Sequence, residues 1–182
     1  MKKLIILFML FLTASGVLAY EHPRWVAQPI YVYIPEYGEF SGWMKQAFDT
    51  WEQNSQELIR FKYVSSPSNA NIRVDFVDFV TNCNSKHSVG CTHTVKRGKN
   101  YAAALITIGT KAKNKINQNG QIYEHIGNRN PSNIYGVMLH EVGHALGLNH
   151  SENPESIMFP YDLQTLQYLT EEDLRLLYNK YY

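Results

Sequence analysis

Residues 140–150 read His-Glu-Val-Gly-His-Ala-Leu-Gly-Leu-Asn-His, and this spacing of imidazoles and one carboxylate suits metal chemistry. On a helix, His140 and His144 are one turn apart on the same face, with Cβ atoms about 5–6 Å from each other. At that separation one nitrogen from each can reach a single zinc ion at about 2.0–2.1 Å. Glu141 stands about 100° around the helix from His140, where it can act beside the metal as a base without being a ligand. Gly147 can take a positive φ, end the helix and turn the chain, which brings His150 to the metal from a second direction. Three histidines leave a fourth position for water, the pattern of a catalytic rather than a structural zinc site. One catalytic zinc ion is therefore the expected cofactor. Such an ion lowers the pKa of its water to about 7. Glu141 is then placed to take a proton as water attacks a peptide carbonyl and to pass it to the leaving amine. A bare His-Glu-x-x-His also fits an amphipathic helix with surface histidines. The added Gly147 and His150 favour the metal site.

These groups need a helix, and the sequence predicts one. Asn130 or Ser132 can cap it, with Pro131 tolerated in the first turn. Its apolar positions are Ile134, Val137, Met138, Leu139, Val142, Ala145 and Leu146. Upstream, β-branched and alternating stretches predict strands over residues 30–34, 59–64, 72–80 and 103–108, with a short edge strand over 89–95 inside a polar, cysteine-bearing loop. Ser41 is a candidate cap for a helix from Gly42, where Trp43, Ala47, Phe48 and Trp51 recur at helical spacing. Residues 111–130 are polar and are expected to be irregular, and a loop is expected from residue 148 to about 169. Thr170 caps a last helix with Asp173 as its capping-box partner. The order of elements predicts one α+β domain.

Lys2 and Lys3, the apolar run 4–12, and Val17 and Ala19 ahead of Tyr20 predict a signal peptide over residues 1–19 and a mature domain over 20–182. The apolar stretch 4–19 is short for a bilayer span of about 20 residues, so no membrane association is expected after cleavage. Losing Lys2 and Lys3 turns the formal net charge from +1 to −1. A near-neutral chain without a long basic run does not read as a nucleic-acid binder. The mature chain is expected to be monomeric and secreted or periplasmic. Export makes a Cys83–Cys91 disulfide the default, although Cys83, His87, Cys91 and His93 could instead form a metal site.

Residues 140–150 resemble the long zinc signature of the metzincins, and Ser156-Ile157-Met158-Phe159-Pro160 resembles their Met-turn, which would put Met158 beneath the metal. Ser151, Pro154, Ile157, Met158 and Pro160 resemble the matrixins within that clan, and Pro160 stands where astacins and serralysins carry a tyrosine. Residues 47–51, 70–76 and 169–178 resemble the matrixin first helix, third strand and C-terminal helix, where Asp173 would support the Met-turn. The resemblance implies a twisted, mostly parallel sheet with an antiparallel edge strand, an active-site helix and a C-terminal helix. It implies a zinc-dependent endopeptidase; a non-catalytic or narrowly targeted zinc-binding protein on the same fold is the alternative. It implies an extended polypeptide substrate lying antiparallel to the edge strand near Gly90, Cys91 and Thr92. An S1′ pocket would then be lined by Val137, Leu139 and the segment from Pro160 and Tyr161 to about Tyr168. Gly136, four residues before His140, would leave that pocket deep enough for a bulky apolar residue. The calcium and second zinc of animal matrixins have no matching His- and Asp-rich loop here, so calcium is unsupported. The few residues between the predicted cleavage site and Trp25 offer no cysteine-switch propeptide.

Overall fold

Alternating burial builds the central sheet. In the computed structural model, which describes residues 23–83, 88–161 and 167–182, Ile72 and Val74 are buried while Arg73 and Asp75 point outward. One face is therefore covered and the other is wet. The predicted signal peptide lies outside the described residues. The strands are β1 (Ile30–Tyr33), β2 (Phe61–Tyr63), β3 (Ile72–Val77), β4 (Gly90–Arg97) and β5 (Asn100–Gly109), in the order β2-β1-β3-β5-β4. All pairings are parallel except β4 with β5. This is the α+β arrangement expected, with β4 as the antiparallel edge strand.

Two helices, α1 (Glu39–Asn54) and α2 (Tyr135–Ala145), pack against each other; α1 touches β2, and α2 touches β4 and β5. Met44, Phe48 and Trp51 of α1, Met138, Leu139 and Val142 of α2, and Ile106 and Ile108 of β5 are fully buried in one core. Side chains of this kind contribute about 1.5–3 kcal/mol each on burial. The Trp51 indole N–H donates to the Leu139 carbonyl at 2.9 Å, so α1 grips the zinc-signature helix by a polar contact as well. A third helix, α3 (Glu171–Tyr181), starts in the predicted capping box: Thr170 and Asp173 exchange side-chain and backbone hydrogen bonds.

Two expectations need correction. Helix α1 begins at Glu39, not Gly42, because Gly38 takes φ 54° and turns the chain into the helix earlier. Ser41 is not the cap: its hydroxyl donates to the Pro35 carbonyl at 2.7 Å and accepts from Tyr37 N–H at 2.6 Å. Residues 111–130 are not irregular. They form a hairpin of β6 (Lys111–Gln118) and β7 (Gln121–Asn128), a separate two-stranded sheet. Asn119 and Gly120, at φ 54° and 82°, make the Asn-Gly turn that favours such a hairpin. The hairpin is tied at its base by a Lys111–Asp78 ion pair and by Arg129 Nε donating to the Lys111 carbonyl.

The Cys83–Cys91 disulfide is present. Both sulfurs are thereby removed as metal ligands, and His93 Nε2 instead sits 2.9 Å from the Asn82 carbonyl. His87 lies outside the described residues.

Candidate active site

Helix α2 carries His140, Glu141 and His144, and its ending decides where His150 goes. The Gly147 N–H bonds to the His144 carbonyl at 2.9 Å and the Leu148 N–H to the Gly143 carbonyl at 3.0 Å, the paired bonds of a Schellman ending. Gly147 has φ 94°. A Cβ there would also lie 2.5 Å from Lys180 Cε and 2.6 Å from Tyr101 Cε2. Both the dihedral and the crowding require glycine. The turn folds His150 back, so that one ligand atom from each of His140, His144 and His150 lies within 4.8 Å of the others.

The orientation of each ring is set from behind. His140 Nδ1 donates to the Ile157 carbonyl at 2.6 Å and His144 Nδ1 to the Leu148 carbonyl at 2.8 Å. This assignment leaves each Nε2 with a free lone pair. Burial pushes His140 down to about 3, helped by the neighbouring His144, and burial also lowers His144. Both rings are thus neutral, the state that ligates. His144 Nε2 and His150 Nε2 are 3.1 Å apart, close to the separation of about 3.3 Å for two nitrogens on one tetrahedral zinc. The three imidazoles fit a zinc ion by donor type and spacing, and His140 and His144 fit it by tautomer as well.

Met158 is fully buried against α2. It lies so close to Gly143 that a Cβ there would collide with its sulfur. The buried Asp173 carboxylate accepts from the Ser156 hydroxyl, from Ile157 N–H at 3.1 Å and from Thr170 N–H at 2.8 Å. Ser151 N–H donates to the Met158 carbonyl at 2.9 Å, which links the turn to the residue after His150. The far end of α2 is closed by two contacts that sequence gives no hint of: the Trp25 indole N–H donates to the Ala145 carbonyl and the Tyr181 hydroxyl to the Leu146 carbonyl.

Residues 35–181 match the family model for the matrixins. The chain belongs to the matrixin family. Macrophage metalloelastase of Oryctolagus cuniculus is 48% identical over 48 residues, 24% of this chain and 10% of that protein. Matrix metalloproteinase-26 of Homo sapiens is 42% identical over 53 residues, 27% of this chain and 20% of that protein. A probable matrix metalloproteinase of Invertebrate iridescent virus 3 is 30% identical over 128 residues, 62% of this chain and 31% of that protein. The matches therefore span about a tenth to a third of these relatives' lengths. For a matrixin, zinc is the metal implied, in agreement with the donor set above.

The remaining predicted site residues of this matrixin separate into two groups. Thr92 and Val137 adjoin Glu141: Thr92 Oγ1 donates to Glu141 Oε2 at 2.7 Å, and Val137 and Glu141 both press on Gly90 of β4. Leu139 belongs to the core, with no exposed surface, and its carbonyl accepts from the Trp51 indole of α1. Pro160 is half-buried and Tyr161 is exposed; the predicted pocket wall continues into residues 162–166, outside the described residues. Glu141 itself is buried, and burial pushes its carboxyl up to about 7 against the opposing effect of the Thr92 hydrogen bond.

Proposed function

We propose that this matrixin is an exported zinc-dependent endopeptidase with His140, His144 and His150 as metal ligands and Glu141 as general base. The observation that carries the reading is the convergence of three imidazoles, His140, His144 and His150, with the buried Glu141 next to His140 on the same helix and outside that ligand set. A zinc ion bound there supplies a water of lowered pKa and polarises the scissile carbonyl. Glu141 takes the proton of the attacking water and delivers it to the leaving amide nitrogen. Met158 and the Asp173 contacts keep the helix and the His150 segment in register. The outer edge of β4 carries no partner strand among the described residues, which suits an extended peptide added alongside it, with main-chain bonds giving affinity. Export is supported by the predicted signal peptide and by the disulfide. No helix among the described residues is long and apolar enough to cross a membrane.

The test compares residues 20–182 of the wild type with Glu141→Ala. Casein digestion by the wild type should stop with a chelator. Glu141→Ala should keep its zinc and lose at least about 10²-fold in kcat. A zinc-loaded Glu141→Ala protein that cleaves at the wild-type rate would overturn the role of Glu141. A wild type that holds zinc and cleaves nothing would make the chain a binding protein.

A further inference from the structure

We propose that Thr92 is a positioning residue for Glu141, so that the edge strand offered to a peptide also sets the base. The inference rests on the reading of Glu141 as that base. Among the described residues the Thr92 hydroxyl makes the one hydrogen bond to the Glu141 carboxylate, at 2.7 Å to Oε2. The other oxygen is confined by shape. A Cβ on Gly90 would lie 2.6 Å from both Oε1 and Cγ of Glu141, so the glycine is the space into which the carboxylate fits. Gly90 and Thr92 are two residues apart and share one face of β4, while Cys91 between them faces away and is tied to Cys83. The register Gly90↔Ile108 and Thr92↔Ile106 fixes both against β5. A glutamate side chain is otherwise free to rotate about three bonds, and base catalysis needs its oxygen within hydrogen-bond reach of water.

The hydroxyl also has a second acceptor, the Glu141 carbonyl at 3.0 Å. While Glu141 is a carboxylate, the hydroxyl proton points to Oε2. When Glu141 holds the proton taken from water, that proton can point to Thr92 Oγ1 and the hydroxyl proton can turn to the carbonyl. The same side chain thus holds the carboxyl before and after proton transfer, and no bond other than these hydrogen bonds changes.

The experiment compares zinc-loaded wild type, Thr92→Val and Thr92→Ser, each also with Glu141→Ala. Valine keeps the branched shape and strand preference and removes the hydroxyl; serine keeps the hydroxyl. Thr92→Val should lose about tenfold in kcat with KM within about twofold, and Thr92→Ser should stay within about twofold of wild type. On the Glu141→Ala background, Thr92→Val should cost nothing further. Zinc content should match across the set, and Thr92→Val should melt below Thr92→Ser because the buried carboxylate loses its donor. In the metal-free protein at alkaline pH, the carboxyl carbon resonance of Glu141 should move in Thr92→Val and not in Thr92→Ser. A wild-type kcat in Thr92→Val overturns the inference. So does a loss confined to KM, or an equal loss without Glu141. Full activity of Glu141→Ala would instead remove the reading on which the inference stands.

Discussion

The turn at residues 156–160 and the β6–β7 hairpin both carry polar groups, yet they lie at opposite extremes of burial. Ser156 and Asp173 have no exposed surface, and their hydrogen bonds close on Ile157, Met158 and Thr170. In the hairpin even the apolar residues are in water: Ile122 is 68% and Ile126 51% exposed. The difference lies in the partners rather than in polarity. A buried polar group is tolerated only when its hydrogen bonds are made inside the protein. The turn has the end of α3 to supply them, whereas the hairpin is held by contacts at its base and bonds chiefly to itself.

Breaking the buried side should have the largest effect. Asp173→Ala leaves the Ile157 and Thr170 N–H groups without their acceptor and should lower stability by about 4 kcal/mol, read from urea unfolding. A cost near that of a surface substitution would erase the contrast.

Glu141 sharpens the comparison, because it is buried like Asp173 but has a single side-chain donor among the described residues, Thr92. Its carboxyl is raised from 4.5 to about 7, so between those values the folded chain holds a proton that the unfolded chain releases. The stabilisation from this proton is fully present below 4.5 and is lost as pH rises through 7. The buried His140, lowered to about 3, has the opposite sense: the unfolded chain takes up its proton first, and stability falls as pH drops below about 6.5. The difference between Glu141→Gln and wild type isolates the first effect. In the metal-free protein, Glu141→Gln should gain on wild type by about 3 kcal/mol as pH rises from 4.5 to beyond 7. Parallel stability curves would show that the carboxyl is not held in a water-poor site.

The smallest effect belongs to the hairpin. Ile122→Ser should change the unfolding free energy by less than about 0.5 kcal/mol and leave kcat on a short peptide unchanged. A larger loss of stability would mean that the hairpin packs against the body.

The histidine cluster was legible because its information is local. Spacing along one helix puts His140 and His144 on a common face, Gly147 supplies a turn that other residues resist, and Thr170 with Asp173 forms a cap within four residues. The core strands were legible for the same reason, since Ile72, Val74 and their neighbours alternate with the period of the sheet. The hairpin had one signal, Asn119-Gly120, but its flanking strands bury no face, so no apolar alternation marks them. The start of α1 depended on the φ of Gly38, and the fate of Leu139 depended on the core assembled around it. The contact between Thr92 and Glu141 joins residues 49 positions apart. By itself the sequence determined which groups could ligate a metal and act as a base, because helical and strand periodicity act over a few residues. Only the tertiary structure decided what holds Glu141, because the packing of β4 against α2 is a long-range outcome that no local pattern encodes.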